Sequence, residues 1–196
     1  MSEAVDGTFL SRDVSVVMTS DPIITDRLIL RPPEPGDAGP VFRSWASDPE
    51  VVKYLTWYPH ASPLETENWI QESVAGWKEG TDFPYLIARK TGEVIGGMAW
   101  RPESAKFKGS IGYVLARSEW GQGLMTEALK ALLENIFSDP AVFRAYAYCH
   151  VANRASMRVM EKAGMAREGL LRRLIVFPNL SPQPLDVYCY ARTRQE

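Results

Sequence analysis

The feature that most constrains the fold of this chain is the segment 111–137, where a strand pattern gives way to a helical pattern across two glycines. Ile111–Leu115 is short and mainly apolar, as expected of a buried strand. Gly121 and Gly123 follow it. Beyond them, apolar residues recur at the helical period, at Met125, Ala128, Leu129, Leu132, Ile136 and Phe137. A strand, a glycine turn and an amphipathic helix are therefore predicted in that order.

The glycine turn has the properties of an anion site. The first N–H groups of a helix have no partner within it, and the helix dipole places partial positive charge at the same end. Glycine lets the backbone approach a phosphate closely because it has no Cβ. The pattern therefore predicts a phosphate-binding turn, with a plain strand-to-helix connection as the alternative. The spacing is not the dinucleotide-binding G-x-G-x-x-G, and the Lys-Ser/Thr of the P-loop is missing.

Composition narrows the function classes. A chain of 196 residues with 45% apolar and 23% charged residues suits one globular domain. The formal net charge of -2 argues against a broad electrostatic grip on nucleic acid, so no nucleic-acid partner is expected. The only cysteines are Cys149 and Cys189, too few for a zinc framework or a disulfide scaffold. We predict two buried thiols and no metal site.

No apolar run approaches the ~20 residues of a membrane helix, so no membrane partner is expected. The stretch Val14–Met18 is too short for a secretion signal and follows Asp13. We therefore predict a cytoplasmic protein. Residues 1–20 are mixed and polar without periodicity, and we interpret them as an N-terminal tail that can be loosely ordered. Residues 21–196 are predicted to form one domain.

Along the chain, helices are predicted after Asp37, from about Glu50, from Pro63, from the glycine turn and after Asn153. Gly96-Gly97 indicates a bend or a close backbone approach. The strand, helix and strand around the glycine turn favour a parallel pair. Strands are predicted at Thr25–Arg31, Phe83–Arg89, Val94–Arg101, Ser110–Leu115, Phe143–His150, Arg167–Phe177 and Asp186–Ala191.

A second motif follows in N-x-x-S and V-M-E-K-x-G-M, within Asn153–Met165, where Asn153 suits a helix N-cap and Gly164 a C′ position. Together with W-G-x-G-x-x-T-E-A at Trp120–Ala128, this motif resembles the GCN5-related N-acetyltransferase (GNAT) family. The chain looks most like its ribosomal-protein alanine acetyltransferase branch, called RimJ/RimL-like. The resemblance covers about Asp21 to the C-terminus. Two positions depart from the family pattern. Ser118 stands where Arg or Gln is usual, and Met160 stands where many members have Tyr.

The resemblance implies a fold of the α/β (α+β) class. It implies a single domain with a central mixed, mostly antiparallel sheet, helices on both faces and one parallel, splayed strand pair. The splayed strands would be those that hold Val114 and Cys149. The acyl-pantetheine arm would enter the gap between them.

The same resemblance implies an acetyl-CoA-dependent N-acetyltransferase that moves the acetyl group directly to a primary amine, on a protein N-terminus or a small molecule. No metal is implied. A catalytically inactive CoA-binding module and a nucleotide-binding protein are the alternatives, and the oligomeric state is open, a homodimer included. The implied CoA-binding residues are Tyr113, Val114, Leu115, Trp120, Gly121, Gln122, Gly123, Leu124, Met125, Asn153 and Ser156.

Catalytic candidates are fewer. By resemblance to the branch, Ser156 would protonate the leaving thiolate; otherwise its hydroxyl bonds to the helix backbone. His150 ends a strand near the expected gap, and its ordinary pKa suits a general base. The other candidates for the base are His60, Glu103, Glu168 and a water chain. By resemblance, the acceptor groove would be flanked by Trp57, Tyr58 and Trp100, which would otherwise belong to the core.

Overall fold

The computed structural model describes Met18 and residues 20–194. The rest of the predicted tail lies outside the described residues. The strands are β1 (Ile23–Ile24), β2 (Leu28–Arg31), β3 (Phe83–Arg89), β4 (Val94–Pro102), β5 (Lys108–Leu115), β6 (Arg144–His150), β7 (Ala166–Val176) and β8 (Pro184–Thr193). The α-helices are α1 (Ala38–Val41), α2 (Pro49–Val52), α3 (Pro63–Glu79), α4 (Leu124–Ser138) and α5 (Arg154–Lys162).

All eight described strands form one sheet in the order β1-β2-β3-β4-β5-β6-β8-β7. Only β5 and β6 run parallel, and they pair only between 108–110 and 144–146. Beyond these three pairs, residues 111–115 and 147–150 have no ladder partners in each other. The two strands therefore part towards their carboxyl ends, which confirms the predicted splayed pair and leaves an open edge on β5.

Helices cover both faces of the sheet. On one face, the apolar side of α4 packs on strand residues such as Ile111, Ala145 and Ala147. On the other face, Trp45, Ile70 and α1 pack on alternate strand positions such as Leu86. Because strand residues alternate between faces, this arrangement buries both sides of the central strands. The predicted mostly antiparallel sheet with helices on both faces is confirmed.

The predicted strand Thr25–Arg31 is wrong in its first half. The chain turns at 25–27 and separates β1 from β2. The turn is held by a carboxylate distant in sequence: Glu127 Oε1 accepts from Thr25 Oγ1 at 2.6 Å and from the Arg27 N–H at 2.9 Å. The second bond satisfies a backbone donor that a continuous strand would place in its ladder.

Asp37 is the N-cap of α1, as its place before that helix predicted, but its carboxylate makes no cap hydrogen bond. The carboxylate instead makes a two-pronged ion pair with Arg31, at 2.7 and 2.8 Å. The helix then widens into a π-helical segment at Phe42–Ala46. The short helix predicted from about Glu50 is α2, which begins one residue earlier, with Asp48 as its N-cap.

The predicted close approach at Gly96 is confirmed. A Cβ on Gly96 would lie 2.5 Å from the Val114 carbonyl oxygen, so a larger residue would push β5 away from β4. In the part of the chain that the structure describes, no helix has both the length and the apolar character needed to cross a membrane.

Candidate functional site

A cleft of about 470 Å³ opens where β5 and β6 part. Its walls come from the carboxyl end of β5, the glycine loop, the start of α4, α5 and α2. Ten of the eleven residues predicted to bind CoA line it: Tyr113, Val114, Leu115, Trp120, Gly121, Gly123, Leu124, Met125, Asn153 and Ser156. The exception, Gln122, turns its side chain back to the Ser118 carbonyl and to Arg89.

The glycine loop presents a fan of unused donors. Gly121 and Gly123 both have φ of 77°, a backbone conformation that favours glycine. Within the described residues, none of the backbone N–H groups from 121 to 126 has a hydrogen-bond partner. Six unpaired donors therefore lie at the positive end of α4, and all of their residues except Gln122 line the cleft, which is the arrangement that binds a phosphate group.

Two arginines brace this loop from behind. Arg27 pairs with Glu127 and donates to the Gln122 carbonyl at 3.1 Å. Arg89 pairs with Glu119 and donates to Gln122 Oε1 at 3.0 Å. The loop is thus held in shape without a ligand, which lowers the conformational cost of binding.

Trp120 closes the loop onto the strand. Its Nε1 donates to the Leu115 carbonyl at 2.8 Å, while the side chain stays about half exposed on the cleft wall. The Leu115 carbonyl is therefore occupied. An extended ligand would have to use the remaining backbone groups of this strand edge.

Only alternate residues of β5 turn their backbone N–H and C=O groups towards the open edge of the strand. The Ala116 N–H donates to the Ile95 carbonyl on the β4 side at 2.8 Å. Because backbone groups of successive strand residues point to opposite edges, those of Val114 also face β4, whereas those of Tyr113 and Leu115 face the gap. Val114 lines the cleft, whereas its backbone belongs to the β4 ladder.

The N-terminus of α5 supplies two polar side chains. Asn153 caps the helix as predicted, accepting from the Ser156 N–H at 3.1 Å through Oδ1. Its Nδ2 has no partner among the described residues and remains available to a ligand. Ser156 Oγ lies 2.7 Å from the Tyr113 hydroxyl, which crosses the gap from β5. Burial raises the pKa of Tyr113, so its hydroxyl stays protonated.

Sequence reasoning missed the cations of the cleft. Arg158 and Lys162 lie four residues apart on α5 and line the cleft, as does Lys53 at the C-cap of α2. The i, i+4 spacing of the first pair was a readable signal. Lys53 had no such signal, because α2 reaches the cleft only through tertiary packing.

His150 lies outside the residues that line the cleft. Its ring stacks on Tyr54 and meets the edge of Phe177. The Ala152 N–H donates to His150 Nδ1 at 3.2 Å, so the neutral ring carries its proton on Nε2. Burial lowers the His150 pKa, partly offset by Asp186. A neutral ring with one nitrogen engaged and the other protonated does not favour the predicted role of general base.

The other predicted bases are engaged elsewhere. His60 Nδ1 contacts Thr66 Oγ1 at 2.7 Å, and burial lowers the His60 pKa. Glu103 accepts from Tyr146 at 2.8 Å and Glu168 pairs with Arg144, near the closed end of the parallel pair. These bonds lower the pKa of both carboxylates. Both carboxylates therefore stay ionised. They lie near the closed end of the parallel pair, however, and not where the cleft opens.

The three predicted acceptor residues are not brought together. Trp100 is 0% exposed and lies in the core, so its side chain is not open to an acceptor. Trp57 is half-buried against Trp45, whereas Tyr58 is exposed.

Met160 is fully buried, so this helix position faces the core and not the cleft. Among the described residues, no cluster of three or more His, Cys, Asp or Glu side chains could hold a metal ion.

Comparison with known proteins adds three kinds of match. A family described as Acetyltransferase (GNAT) domain matches residues 27–166. An uncharacterized N-acetyltransferase, p20, of Bacillus licheniformis is 30% identical over 176 residues, which are 89% of this chain and 97% of that protein. The ribosomal-protein-serine acetyltransferase of Escherichia coli K12 is 30% identical over 151 residues, covering 72% of this chain and 82% of that protein.

The fold also matches solved structures. The structure of RimL, a ribosomal L7/L12 alpha-N-protein acetyltransferase, in complex with coenzyme A superposes with a TM-score of 0.79. The two chains are 25% identical, and the match covers 88% of this chain and 98% of that one.

Proposed function

The chain belongs to the GNAT acetyltransferase family, and we propose that it transfers the acetyl group of acetyl-CoA directly to a primary amine. The observation that carries this proposal is the combination of groups that line one cleft. They are a set of free N–H donors, an open strand edge and a polar helix N-terminus. These suit in turn a pyrophosphate, an extended amide-containing arm and a thioester.

The diphosphate would bind to the N–H groups of residues 121–126. Charge-assisted hydrogen bonds to phosphate are roughly twice as strong as neutral ones, so several of them can dominate the affinity. Arg158 and Lys162 line the same cleft and would neutralise the remaining phosphate charge. Because the loop donors are backbone groups, the side chain of Gln122 would act only indirectly, by bracing the loop through Arg89 and the Ser118 carbonyl, whereas the glycines set the backbone conformation.

The pantetheine arm would lie along β5 as an added strand, using the backbone groups of Tyr113 and the Leu115 N–H. Asn153 Nδ2 would donate to one of the arm's carbonyls. This path brings the thioester towards Ser156, at the inner end of the cleft. The coenzyme A bound in the RimL structure supports this choice of ligand.

The acceptor is proposed to be a protein N-terminus, with a small amine as the alternative. Support comes from the two relatives that act on ribosomal proteins, since one is named for an alpha-N-protein activity. Within the described residues, no histidine lines the cleft, so we propose that water removes the proton of the amine. Holding the amine against the thioester would supply much of the rate.

The transfer proceeds through one tetrahedral intermediate. The neutral amine attacks the thioester carbon, and the C–S bond then breaks with its electron pair on sulfur. Ser156 would donate to that sulfur as negative charge develops. The proton that nitrogen loses balances the one that the thiolate gains.

A CoA-binding module without catalysis is the second candidate. It is favoured by Met160, which has no proton to donate where many family members have Tyr, and by the lack of a histidine among the described residues of the cleft. Such a protein would bind acetyl-CoA yet release no CoA with any amine.

Isothermal titration with acetyl-CoA tests the proposal, with CoA and ATP as controls. We expect selective micromolar binding of acetyl-CoA and CoA over ATP, because only the former two carry the arm that pairs with β5. Turnover is then measured as CoA release with peptides and small amines. Absence of binding by the folded protein would contradict an acyl-CoA site, and binding without turnover would favour the inactive module.

Replacing Asn153 by alanine should have two separable effects. Loss of the cap should lower the free energy of unfolding by about 1 kcal/mol, and loss of Nδ2 should weaken acetyl-CoA binding. Thermal melts and titration measure the two. Asn153→Asp is the matched control, since it keeps the capping oxygen but lacks the amide donor: its melting point should stay near that of the wild type while binding weakens. A melting point unaltered by Asn153→Ala would contradict the capping role.

A further inference from the structure

We infer that Tyr113 is a positioning residue for the transfer step: its hydroxyl donates to Ser156 Oγ and thereby directs the Ser156 proton towards the thioester sulfur. This inference rests on the proposed function. It assigns to the Tyr113 side chain a role separate from that of its backbone, which would hold the pantetheine arm.

The hydroxyl pair spans the gap between the sheet and α5. Tyr113 is on β5 beyond the last residue that pairs with β6, and its side chain points to the face that carries α4 and α5. It reaches Ser156 at the first turn of α5, where the two oxygens are 2.7 Å apart. Both residues line the cleft. The pair therefore lies where an arm extended along β5 would end.

Two proton arrangements are open to this pair. In the first, Tyr113 donates to Ser156 Oγ, and the serine proton is free to point into the cleft. In the second, Ser156 donates to the Tyr113 oxygen, and the tyrosine proton goes to the Ser156 carbonyl at 3.3 Å. Only the first arrangement leaves the Ser156 hydroxyl proton free to form a hydrogen bond with a ligand. Negative charge on a nearby sulfur favours it, because that charge attracts the free proton.

The surroundings keep the pair neutral. Burial is the main reason that the pKa of Tyr113 is raised, and the hydrogen bond to Ser156 opposes it only in part. The neighbouring Cys149 is likewise held as a thiol, because burial raises its pKa to about 11. Since neither Tyr113 nor Cys149 is ionised, the Tyr113–Ser156 pair acts as a neutral hydrogen-bond donor. The direction of its hydrogen bonds then decides whether Ser156 can donate to the sulfur.

The Tyr113–Ser156 pair does not change the overall balance of protons and electrons in the acetyl transfer. The amine forms the C–N bond, the C–S bond breaks, and the electron pair stays on sulfur while Ser156 donates to it. The proton that the amine loses equals the one that the thiolate finally gains. Tyr113 gives up no proton; it holds the serine oxygen so that the serine proton points one way.

A purely structural role would be to join the sheet to α5, and the chain contains a matched example. The Tyr190 hydroxyl, on β8, donates to Glu161 of α5 at 2.9 Å, but neither residue lines the cleft. Tyr190→Phe therefore removes one strand-to-α5 hydrogen bond of the same kind without touching the site.

The test compares Tyr113→Phe, Tyr190→Phe, Ser156→Ala and the double variant Tyr113→Phe/Ser156→Ala. Each is assayed for CoA release with peptides that begin with Ala or Ser, with small primary amines, and with water alone. We expect Tyr113→Phe to lower kcat about 10-fold while KM for acetyl-CoA changes less than about 2-fold. Tyr190→Phe should leave both constants unchanged. In the Ser156→Ala background, Tyr113→Phe should cause no further loss, because its effect acts through the serine.

The inference alone would be overturned by wild-type kcat in Tyr113→Phe, or by an undiminished loss when the substitution is made on top of Ser156→Ala. Equal losses in Tyr113→Phe and Tyr190→Phe would also overturn it, in favour of a general packing effect. A wild-type protein that releases no more CoA with any amine than with water alone would instead overturn the proposed function, and the inference with it.

Discussion

Replacing Gly121 by valine is expected to abolish acetyl-CoA binding while the fold survives. Gly121 has φ of 77°, and a Cβ there would meet nothing within 4 Å, so the difficulty is the backbone conformation and not a steric clash. A residue with a side chain is destabilised by about 1–2 kcal/mol in the left-handed region, and a β-branched one is a clear outlier there. The loop is therefore expected to leave this conformation and to disperse its N–H groups.

The size of the effect follows from the hydrogen bonds that the rearranged loop could no longer donate to the diphosphate. Hydrogen bonds to charged groups are worth about 1.5–3 kcal/mol each, so removing two of them weakens binding by at least about 100-fold. Titration with acetyl-CoA measures this. Gly92→Val is the matched control, because Gly92 lies in the β3–β4 hairpin turn with φ of 90° and equally open space. It should cost stability but not affinity. Unchanged affinity in Gly121→Val would exclude the loop from the site.

Replacing Ser156 by alanine is expected to lower kcat about 100-fold, at the lower end of the range for acid–base groups. The acetyl-CoA dissociation constant should change little, because the diphosphate and the arm keep their partners. Removing the hydroxyl also leaves the Tyr113 hydroxyl without its partner at 2.7 Å. This loss should lower the free energy of unfolding by about 1 kcal/mol. Steady-state kinetics and a thermal melt separate the two effects.

Ser138→Ala provides the control for a purely structural role of Ser156. The Ser138 hydroxyl donates to the Asn135 carbonyl of α4 at 2.6 Å, which is the backbone-bonded role that Ser156 would have if it were only structural. Ser138 is remote from the cleft, so its loss should leave kcat unchanged. Full activity of Ser156→Ala would exclude this serine as the proton donor.

Much of the cleft was predictable because it is built from local signals. The 3.6-residue period predicted α4, and the turn glycines at positive φ predicted the loop before it. Asn153 and Gly164 marked the ends of α5, and Asn153 does cap it. Backbone groups supply most of the proposed diphosphate contacts, and backbone geometry depends on nearby residues. Ten of the eleven CoA-binding residues that the family resemblance implied line one cleft.

Other features depended on which distant segments meet. Asp37 was an adequate N-cap by its type, but Arg31 engages its carboxylate with two hydrogen bonds. Trp100 was expected to flank the acceptor groove, yet helices on both faces of the sheet leave it 0% exposed. His150 was plausible as a base by its ordinary pKa, but a backbone N–H engages its Nδ1.

By itself, the sequence determined the strand–loop–helix unit, the caps of α5 and the family. The first two rest on residues close together in the chain, and the family on two short motifs, at 120–128 and 153–165. Only the tertiary structure decided how the site is completed. It brought Lys53 to the cleft, turned the Val114 backbone towards β4, and set the Tyr113 hydroxyl against a serine 43 residues away. The physical reason is that hydrogen-bond direction and burial are properties of a packed neighbourhood, which the pattern of a single segment does not contain.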